Sequence, residues 1–172
     1  MEYIGEIIKI CVPALLVLWA CYKTMNSFFS NEEKKRNTLK NNDKSTITLR
    51  LKAYERLSLF LERINPDNLI QRIHTPNMTC SELQINLLKT IRIEYEHNLT
   101  QQLYVSDEAW EAIKLAKESV NQLINSATAN INPDRPALDL AKVIIETYHS
   151  SNITPSEIAL KQLKAETVAL LS

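Results

Sequence analysis

Glycine is almost absent from this chain, whose only glycine is Gly5. Phosphate-binding loops of the Walker and dinucleotide types need glycines for tight turns and for close approach of the backbone to the ligand. Two-residue hairpins favour Asn-Gly or Asp-Gly turns, and neither dipeptide occurs in the sequence. The composition therefore excludes nucleotide sites of these types, and no nucleotide is expected to bind.

Cysteine is also scarce, with three residues in the whole chain. Cys11 and Cys21 belong to an apolar N-terminal stretch, so Cys80 is the only cysteine in the rest of the sequence. A disulfide framework and a cysteine-based zinc site both need at least two cysteines close together. No cofactor and no metal are expected from this composition.

Long apolar runs are confined to the N-terminus, where residues 3–22 form one stretch. Roughly 20 helical residues, at a rise of about 1.5 Å each, cross a hydrocarbon core of about 30 Å. Most of the nearby lysines and arginines follow the stretch, which favours a cytoplasmic location for the segment after it. The sequence predicts a single-pass inner-membrane protein with an anchor at 1–23, a basic juxtamembrane tether at 24–45 and a cytoplasmic helical domain at 46–172.

Two alternatives to a retained membrane helix remain open. Leu18-Trp19-Ala20-Cys21 resembles the lipobox of a lipoprotein, in which Cys21 would be acylated, although Trp19 is bulky for that motif. A cleaved export signal would begin with basic residues, whereas Glu2 and Glu6 make this start acidic. The retained helix is the preferred interpretation.

Charge is balanced over the chain but differs between its two parts. Residues 23–63 contain ten basic and five acidic side chains, a net charge of +5, and residues 64–172 contain nine basic and thirteen acidic ones, a net charge of −4. The basic part either contacts anionic lipids of the inner leaflet or is a solvated linker that only fixes the topology. Nucleic-acid binding is not expected, because the acidic part would repel phosphates.

The remaining sequence has the periodicity of helices. Apolar residues from Ile47 to Ile64 recur at steps of three and four, and Asn65-Pro66 begins a short helix that is predicted to reach Ile73. Thr79, Ser106 and Thr154 have the features of N-caps. They predict helices that end at about Leu103, Ala127 and Leu171, with a further helix over residues 138–148. The fold class is all-α, with about five helices in the soluble bundle and no strand pattern of useful length.

Polar side chains are concentrated near the end of the helix that begins at Thr79. Glu94, His97, Asn98 and Gln101 have helical spacing that places them on one side. One interpretation is a binding groove for a ligand or a protein partner, with an aromatic anchor nearby. The other is that this patch hydrogen-bonds the neighbouring helix and fixes the register of the bundle. The second is favoured. The candidate binding residues are Glu94, His97, Asn98, Gln101, Gln102, Tyr104 and Trp110.

The same region resembles a motif of a known family. The run Glu-x-Glu-His-Asn-x-x-Gln-Gln-x-Tyr-Val-Ser at 94–106, followed by Trp110, is similar to one in an uncharacterised family of short bacterial proteins. Members of that family have one N-terminal membrane helix and a soluble helical domain, so the resemblance implies this architecture for most of the chain. The family has no assigned activity, and the resemblance therefore implies no catalytic or binding residues.

A catalytic site or a metal site at the patch is also possible, but the sequence supports either one more weakly. Arg92 and His97 have the Arg-x4-His spacing of helical ribonuclease domains found in bacterial toxins, with Ile93 departing from the usual pattern. A metal site would need Glu94 and His97 to converge with the distant His149 or Glu146. The preferred function is a membrane-anchored interaction or scaffolding module that binds a protein partner or a second copy of itself. The alternative is a membrane-tethered, ribonuclease-like hydrolase that uses Arg92 and His97.

Overall fold

A computed structural model describes residues 19, 22–23, 45–150 and 153–171. The chain forms two compact units, Met1–Thr46 and Ile47–Ser172. In the first unit, Trp19, Tyr22 and Lys23 are helical and exposed, and the Lys23 ammonium lies 4.8 Å from the centroid of the Trp19 ring. The predicted membrane span, apart from Trp19 and Tyr22, lies outside the described residues. Within the described part of the chain, no helix has the length and apolarity to cross a membrane.

The described part of the chain from residue 45 onwards is all-helical, as the periodicity predicts. Its α-helices are α1 (45–64), α2 (Pro66–Ile73), α3 (Cys80–Asn98), α4 (Asp107–Thr128), α5 (Ala137–His149) and α6 (Pro155–Leu171), and a 3-10 helix, Leu99–Leu103, follows α3. These six helices are one more than the approximate number expected. The only bridge outside helices among these residues is an isolated one between Thr79 and Pro136.

Apolar residues at helical spacing build one core. On α1, the predicted seam from Tyr54 through Leu57 and Leu61 to Ile64 is buried. α4 packs against α3, α5 and α6. Burial of a large aliphatic side chain stabilises a fold by about 1.5–3 kcal/mol. The core therefore rests on the following fully buried side chains: Phe60, Leu57, Ile64, Leu69, Leu83, Leu87, Ile91, Ile113, Ile124, Leu140, Ile144 and Leu163.

Capping residues set where the helices begin. Thr79 and Glu82 form a reciprocal capping box at α3, in which each side chain accepts a hydrogen bond from the other residue's backbone N–H. Thr154 and Glu157 make the same pair of bonds at the start of α6. Such side chains satisfy backbone N–H groups that have no partner within the helix. These two helix starts agree with those predicted from the sequence.

The loops between α2 and α3 and between α4 and α5 contain no glycine. Asn77, between α2 and α3, has a φ of 68°, a left-handed conformation that asparagine adopts more readily than most residues. The loop before α5 lies against the start of α3, where the Cys80 N–H donates to the Arg135 carbonyl at 2.8 Å. The Cys80 thiol is buried and donates to the Pro136 carbonyl. Cys80 thus serves as a small buried side chain that joins this loop to α3.

The end of α3 differs from the prediction of a continuous helix to about Leu103. The α-helix stops at Asn98, and the next five residues have 3-10 geometry. The Asn98 side chain donates at 2.8 Å to the Glu94 carbonyl, one of the last carbonyls of the helix. A tighter 3-10 turn commonly ends a helix because it satisfies such terminal groups. Asn98 and Gln101, on either side of this change of pitch, are both buried.

Candidate functional site

The predicted polar patch divides into inward-facing and solvent-facing side chains. Asn98 and Gln101 are buried, whereas His97 and Gln102 are exposed and Tyr104 is half-buried. His97 therefore does not share the inward side with Asn98 and Gln101, which corrects the expectation that these residues line one face. Asn98 also departs from the interhelical hydrogen bond expected of it, because its side chain donates to the Glu94 carbonyl within α3.

Glu94 is the most strongly paired member of the patch. Its Oε1 lies 2.8 Å from Arg63 Nε and 3.5 Å from Arg72 Nη1, and only 13% of the side chain is exposed. Arg72 Nη2 also donates to the Arg63 carbonyl at 2.9 Å. This carboxylate therefore ties the corner between α1 and α2 to α3.

Trp110 belongs to the core and is not available as an anchor for a partner. Its ring stacks on Tyr95 with a centroid distance of 5.7 Å and an interplanar angle of 24°. Phe60 lies on Tyr95 at 6.1 Å, and the Lys117 ammonium is 4.6 Å from the Tyr95 centroid. Burial raises the pKa of the Tyr95 phenol. The aromatic residues thus join α1, α3 and α4, a role that large buried rings commonly have.

A polar network that the sequence did not reveal is centred on Glu166 of α6. Its carboxylate accepts a hydrogen bond from the Ser106 hydroxyl and a second one, at 3.2 Å, from the Tyr54 hydroxyl. The Ser106 hydroxyl also accepts from the Ala109 N–H at 3.0 Å, as the N-cap of α4. One glutamate therefore connects α1, the start of α4 and the end of α6.

Arg50 extends this network to the 3-10 segment. Its guanidinium donates to the Tyr54 hydroxyl at 3.0 Å and to the Tyr104 carbonyl at 3.2 Å. Tyr54 is almost fully buried, and this burial raises the pKa of its phenol. Ser106 and Tyr54 have recognisable local roles as a cap and a seam residue. Their partner Glu166 is 60 residues beyond Ser106, which local spacing does not reveal.

Arg92 pairs with a carboxylate of its own helix, and His97 is exposed. Arg92 Nε lies 2.8 Å from Glu96 Oε1 on the same helix, and 80% of the arginine side chain is exposed. The hydrogen bond to Glu96 raises the pKa of Arg92. Neither Arg92 nor His97 lines either of the two cavities described next. The arrangement is that of a solvated helix face with one i, i+4 ion pair.

A polar cleft of about 400 Å³ lies where α1, α2, α5 and α6 meet. His149 Nε2 is 3.1 Å from Asp67 Oδ2, and Asn65 Nδ2 donates to the Tyr148 hydroxyl at 3.3 Å. These four polar side chains of the cleft are thus paired with one another. Among the described residues, no three histidine, cysteine, aspartate or glutamate side chains lie close enough together to hold a metal ion. The structure pairs Glu94 with two arginines and His149 with Asp67, so it does not bring together the metal ligands considered above.

A second cavity of about 400 Å³ is an open groove between α4 and α6. Leu115 is 65% exposed on one side of it and Ile158 is 56% exposed on the other. Large aliphatic side chains facing each other across an open groove differ from singly scattered surface residues, which need no explanation. The residues that line this α4–α6 groove are Ala112, Leu115, Glu118, Ser119, Gln122, Pro155 and Ile158.

Comparison with known proteins places the chain in a family. A family model described as "Family of unknown function (DUF7935)" matches residues 2–170. The chain belongs to this family, and the predicted membership of an uncharacterised family is therefore confirmed. No curated protein and no solved structure matches the chain.

Proposed function

We propose that this member of a family of unknown function is a membrane-anchored interaction module. Its helical domain binds an amphipathic helix of a protein partner in the α4–α6 groove. The observation that carries the proposal is the pair Leu115 and Ile158, two exposed aliphatic side chains that face each other across the groove. The proposed binding site is this groove and not the polar patch expected from the sequence. The side chains of that patch either bond within the protein or are separately exposed to solvent.

The direction of the two helices supports a helical occupant. Ser106, at the start of α4, bonds Glu166 near the end of α6, whereas Ser119 of α4 lines the groove with Pro155 at the start of α6. α4 and α6 are therefore antiparallel, and the groove runs along their axes. A groove of this kind accepts a helix whose apolar residues recur at steps of three and four.

The chemistry of the groove favours burial of apolar surface. Ala112, Leu115, Pro155 and Ile158 supply the apolar walls, while Glu118 supplies a charge. Covering a side chain such as Leu115 contributes up to about 1.5–3 kcal/mol to binding. Hydrophobic walls with a few polar groups are typical of binding sites, since the polar groups set orientation. The partner helix is thus expected to pair an apolar stripe with a basic or amide side chain opposite Glu118.

The proposed anchor rests on the sequence. Residues 3–22 supply about the number of residues that a membrane helix needs, and basic residues follow them in the 24–45 tether. This arrangement holds the helical domain at the cytoplasmic face. Acylation at Cys21 is the alternative anchor. The ribonuclease-like alternative stays a prediction, and it gains no support from Arg92, which pairs with Glu96, or from the exposed His97.

The experiment compares Leu115→Glu with Ile85→Glu in the full chain. Ile85 is a matched control because it is 60% exposed on α3 and does not line the groove. Each tagged variant is purified from detergent-solubilised membranes, and the proteins that travel with it are identified by mass spectrometry. A peptide covering the amphipathic helix of the captured partner is then titrated against the purified full chain.

The proposal expects Leu115→Glu to lose both the partner and the peptide. Ile85→Glu should keep both, and the two variants should melt at the wild-type temperature because their side chains are exposed. Equal capture by all three proteins would refute binding in the groove. If a second copy of the chain were the only protein captured, the groove would be assigned to self-association and not to a partner helix.

A further inference from the structure

One polar side chain in the cleft where α1, α2, α5 and α6 meet is buried without a partner. Ser156, in the first turn of α6, is only 8% exposed and lines the cleft. Within the described part of the chain its hydroxyl makes no hydrogen bond, whereas the hydroxyl of the nearby Thr154 donates to Glu157. Buried polar side chains in proteins usually have a hydrogen-bond partner. Ser156 therefore presents an unused hydrogen-bonding group to the cleft.

The lining of the cleft is negatively charged. Glu62 of α1, Asp67 of α2 and Glu157 of α6 belong to it, and no lysine or arginine is among the described residues that line it. His149 is paired with Asp67, and even a protonated His149 leaves the lining with a net negative charge. A cleft lined by charges of one sign concentrates the opposite charge from solution. The cleft therefore favours a cation.

The three carboxylates can accept further hydrogen bonds. Glu157 accepts from the backbone N–H and from the hydroxyl of Thr154 on Oε2, which leaves Oε1 available. The Asp67 side chain is 42% exposed beside His149, and Glu62 is exposed. An ionised carboxylate has about four acceptor sites on its two oxygens. α1, α2 and α6 thus each supply acceptors to the same cleft.

The size and walls of the cleft fit a small organic group. Its volume of about 400 Å³ falls in the range of about 300–1,000 Å³ that is usual for small-molecule sites. Leu61 and Leu160 add apolar surface to the polar lining. Among the described residues, the histidine and carboxylate side chains form no group that could hold a metal ion. A cationic head on a short apolar stem therefore fits the cleft better than a bare ion does.

We propose that the cleft binds an alkylguanidinium group, carried by a free small molecule or by an arginine side chain of a protein partner. A guanidinium has five N–H donors and no acceptor, whereas an ammonium has three donors. Its planar donors match the paired oxygens of carboxylates. The head donates to Glu62, Asp67 and the Ser156 hydroxyl, and the alkyl stem lies on Leu160. Neither the α4–α6 groove nor the N-terminal anchor is needed for this site.

The test titrates butylguanidine into the purified full chain by isothermal titration calorimetry, with butylamine as a cation that has fewer donors. Glu62→Gln removes one negative charge of the cleft, and Ser156→Ala removes the unpartnered hydroxyl. Glu108→Gln and Ser126→Ala are matched controls, because both residues are exposed on α4 and neither lines the cleft. Melting curves establish that each variant is folded.

We expect saturable binding of butylguanidine that is tighter than that of butylamine. The ligand should also raise the melting temperature, because it binds the folded state. Glu62→Gln should weaken binding about tenfold, as expected for the loss of one charge-assisted hydrogen bond. Ser156→Ala should weaken it several-fold, and the controls should bind as the wild type does. No saturable binding at millimolar concentrations, or equal affinity of all variants, would overturn the site, and equal binding of butylamine would overturn the preference for guanidinium.

N-acetyl-arginine amide, which carries the same head on a peptide-like backbone, separates the two sources of the group. Binding of this compound at least as tight as that of butylguanidine, and weakened by Glu62→Gln, would assign the cleft to an arginine of a protein partner. Much weaker binding than that of butylguanidine would assign it to a free small molecule. Binding that Glu62→Gln does not affect would count against the cleft as the site.

Discussion

At the residue scale, neighbouring side chains of the polar patch differ in burial because adjacent residues of a helix point in different directions. Helical spacing groups His97 with Asn98, but the structure leaves His97 in solvent and buries Asn98 against its own helix. The spacing of three residues between Asn98 and Gln101 agrees with the burial of both side chains. It does not determine which side of α3 faces the core, and that depends on the helices packed against α3.

Replacing Asn98 or His97 by alanine should have different effects on stability. Asn98→Ala removes a buried hydrogen bond to the Glu94 carbonyl and should lower the free energy of unfolding by about 1 kcal/mol. His97→Ala removes an exposed side chain and should leave the melting curve unchanged. Chemical denaturation of both variants measures this difference, and equal destabilisation by the two would contradict the described side-chain directions.

Tyr54 gives the stability a dependence on alkaline pH. Burial raises its pKa above the usual value of about 10, so the folded state holds the phenolic proton more tightly than the unfolded chain does. The contribution is fully present below the unfolded pKa and is lost as the pH rises through the folded pKa. In the Tyr54→Phe variant, the free energy of unfolding should therefore decrease less steeply above about pH 10. Unfolding curves at a series of alkaline pH values measure the slope, and an unchanged slope would count against this role.

At the element scale, capping residues made the helix starts predictable while the contacts between helices were not. Thr79, Ser106 and Thr154 each act within a few residues, so their roles can be read from the sequence. Glu166 has no local signature that distinguishes it from a solvated glutamate, and only the packing of α6 brings it to Ser106. The α4–α6 groove was likewise beyond local spacing, since its two walls come from distant segments.

Two cap substitutions separate local from tertiary stabilisation. Thr79→Ala removes a capping box on an exposed helix start and should cost about 1 kcal/mol. Ser106→Ala removes a cap and also a hydrogen bond to Glu166, so it should cost more, about 2–3 kcal/mol. Adding Glu166→Ala to each variant gives double-mutant cycles. Coupling is expected with Ser106 and not with Thr79, and equal coupling would contradict the network.

At the scale of the whole molecule, the α4–α6 groove with Leu115 and Ile158 is the surface proposed for the partner helix. The proposed function has a further premise, which is that the N-terminal segment holds the helical domain at the cytoplasmic face of a membrane.

Paired reporters fused after Ser172 of the full chain test that premise most directly. One reporter is a fluorescent protein that matures only in the cytoplasm, and the other is a phosphatase that is active only in the periplasm. The account predicts fluorescence in a membrane fraction that withstands an alkaline carbonate wash, because basic residues follow the apolar stretch. An active phosphatase, or fluorescence that the wash releases, would contradict it.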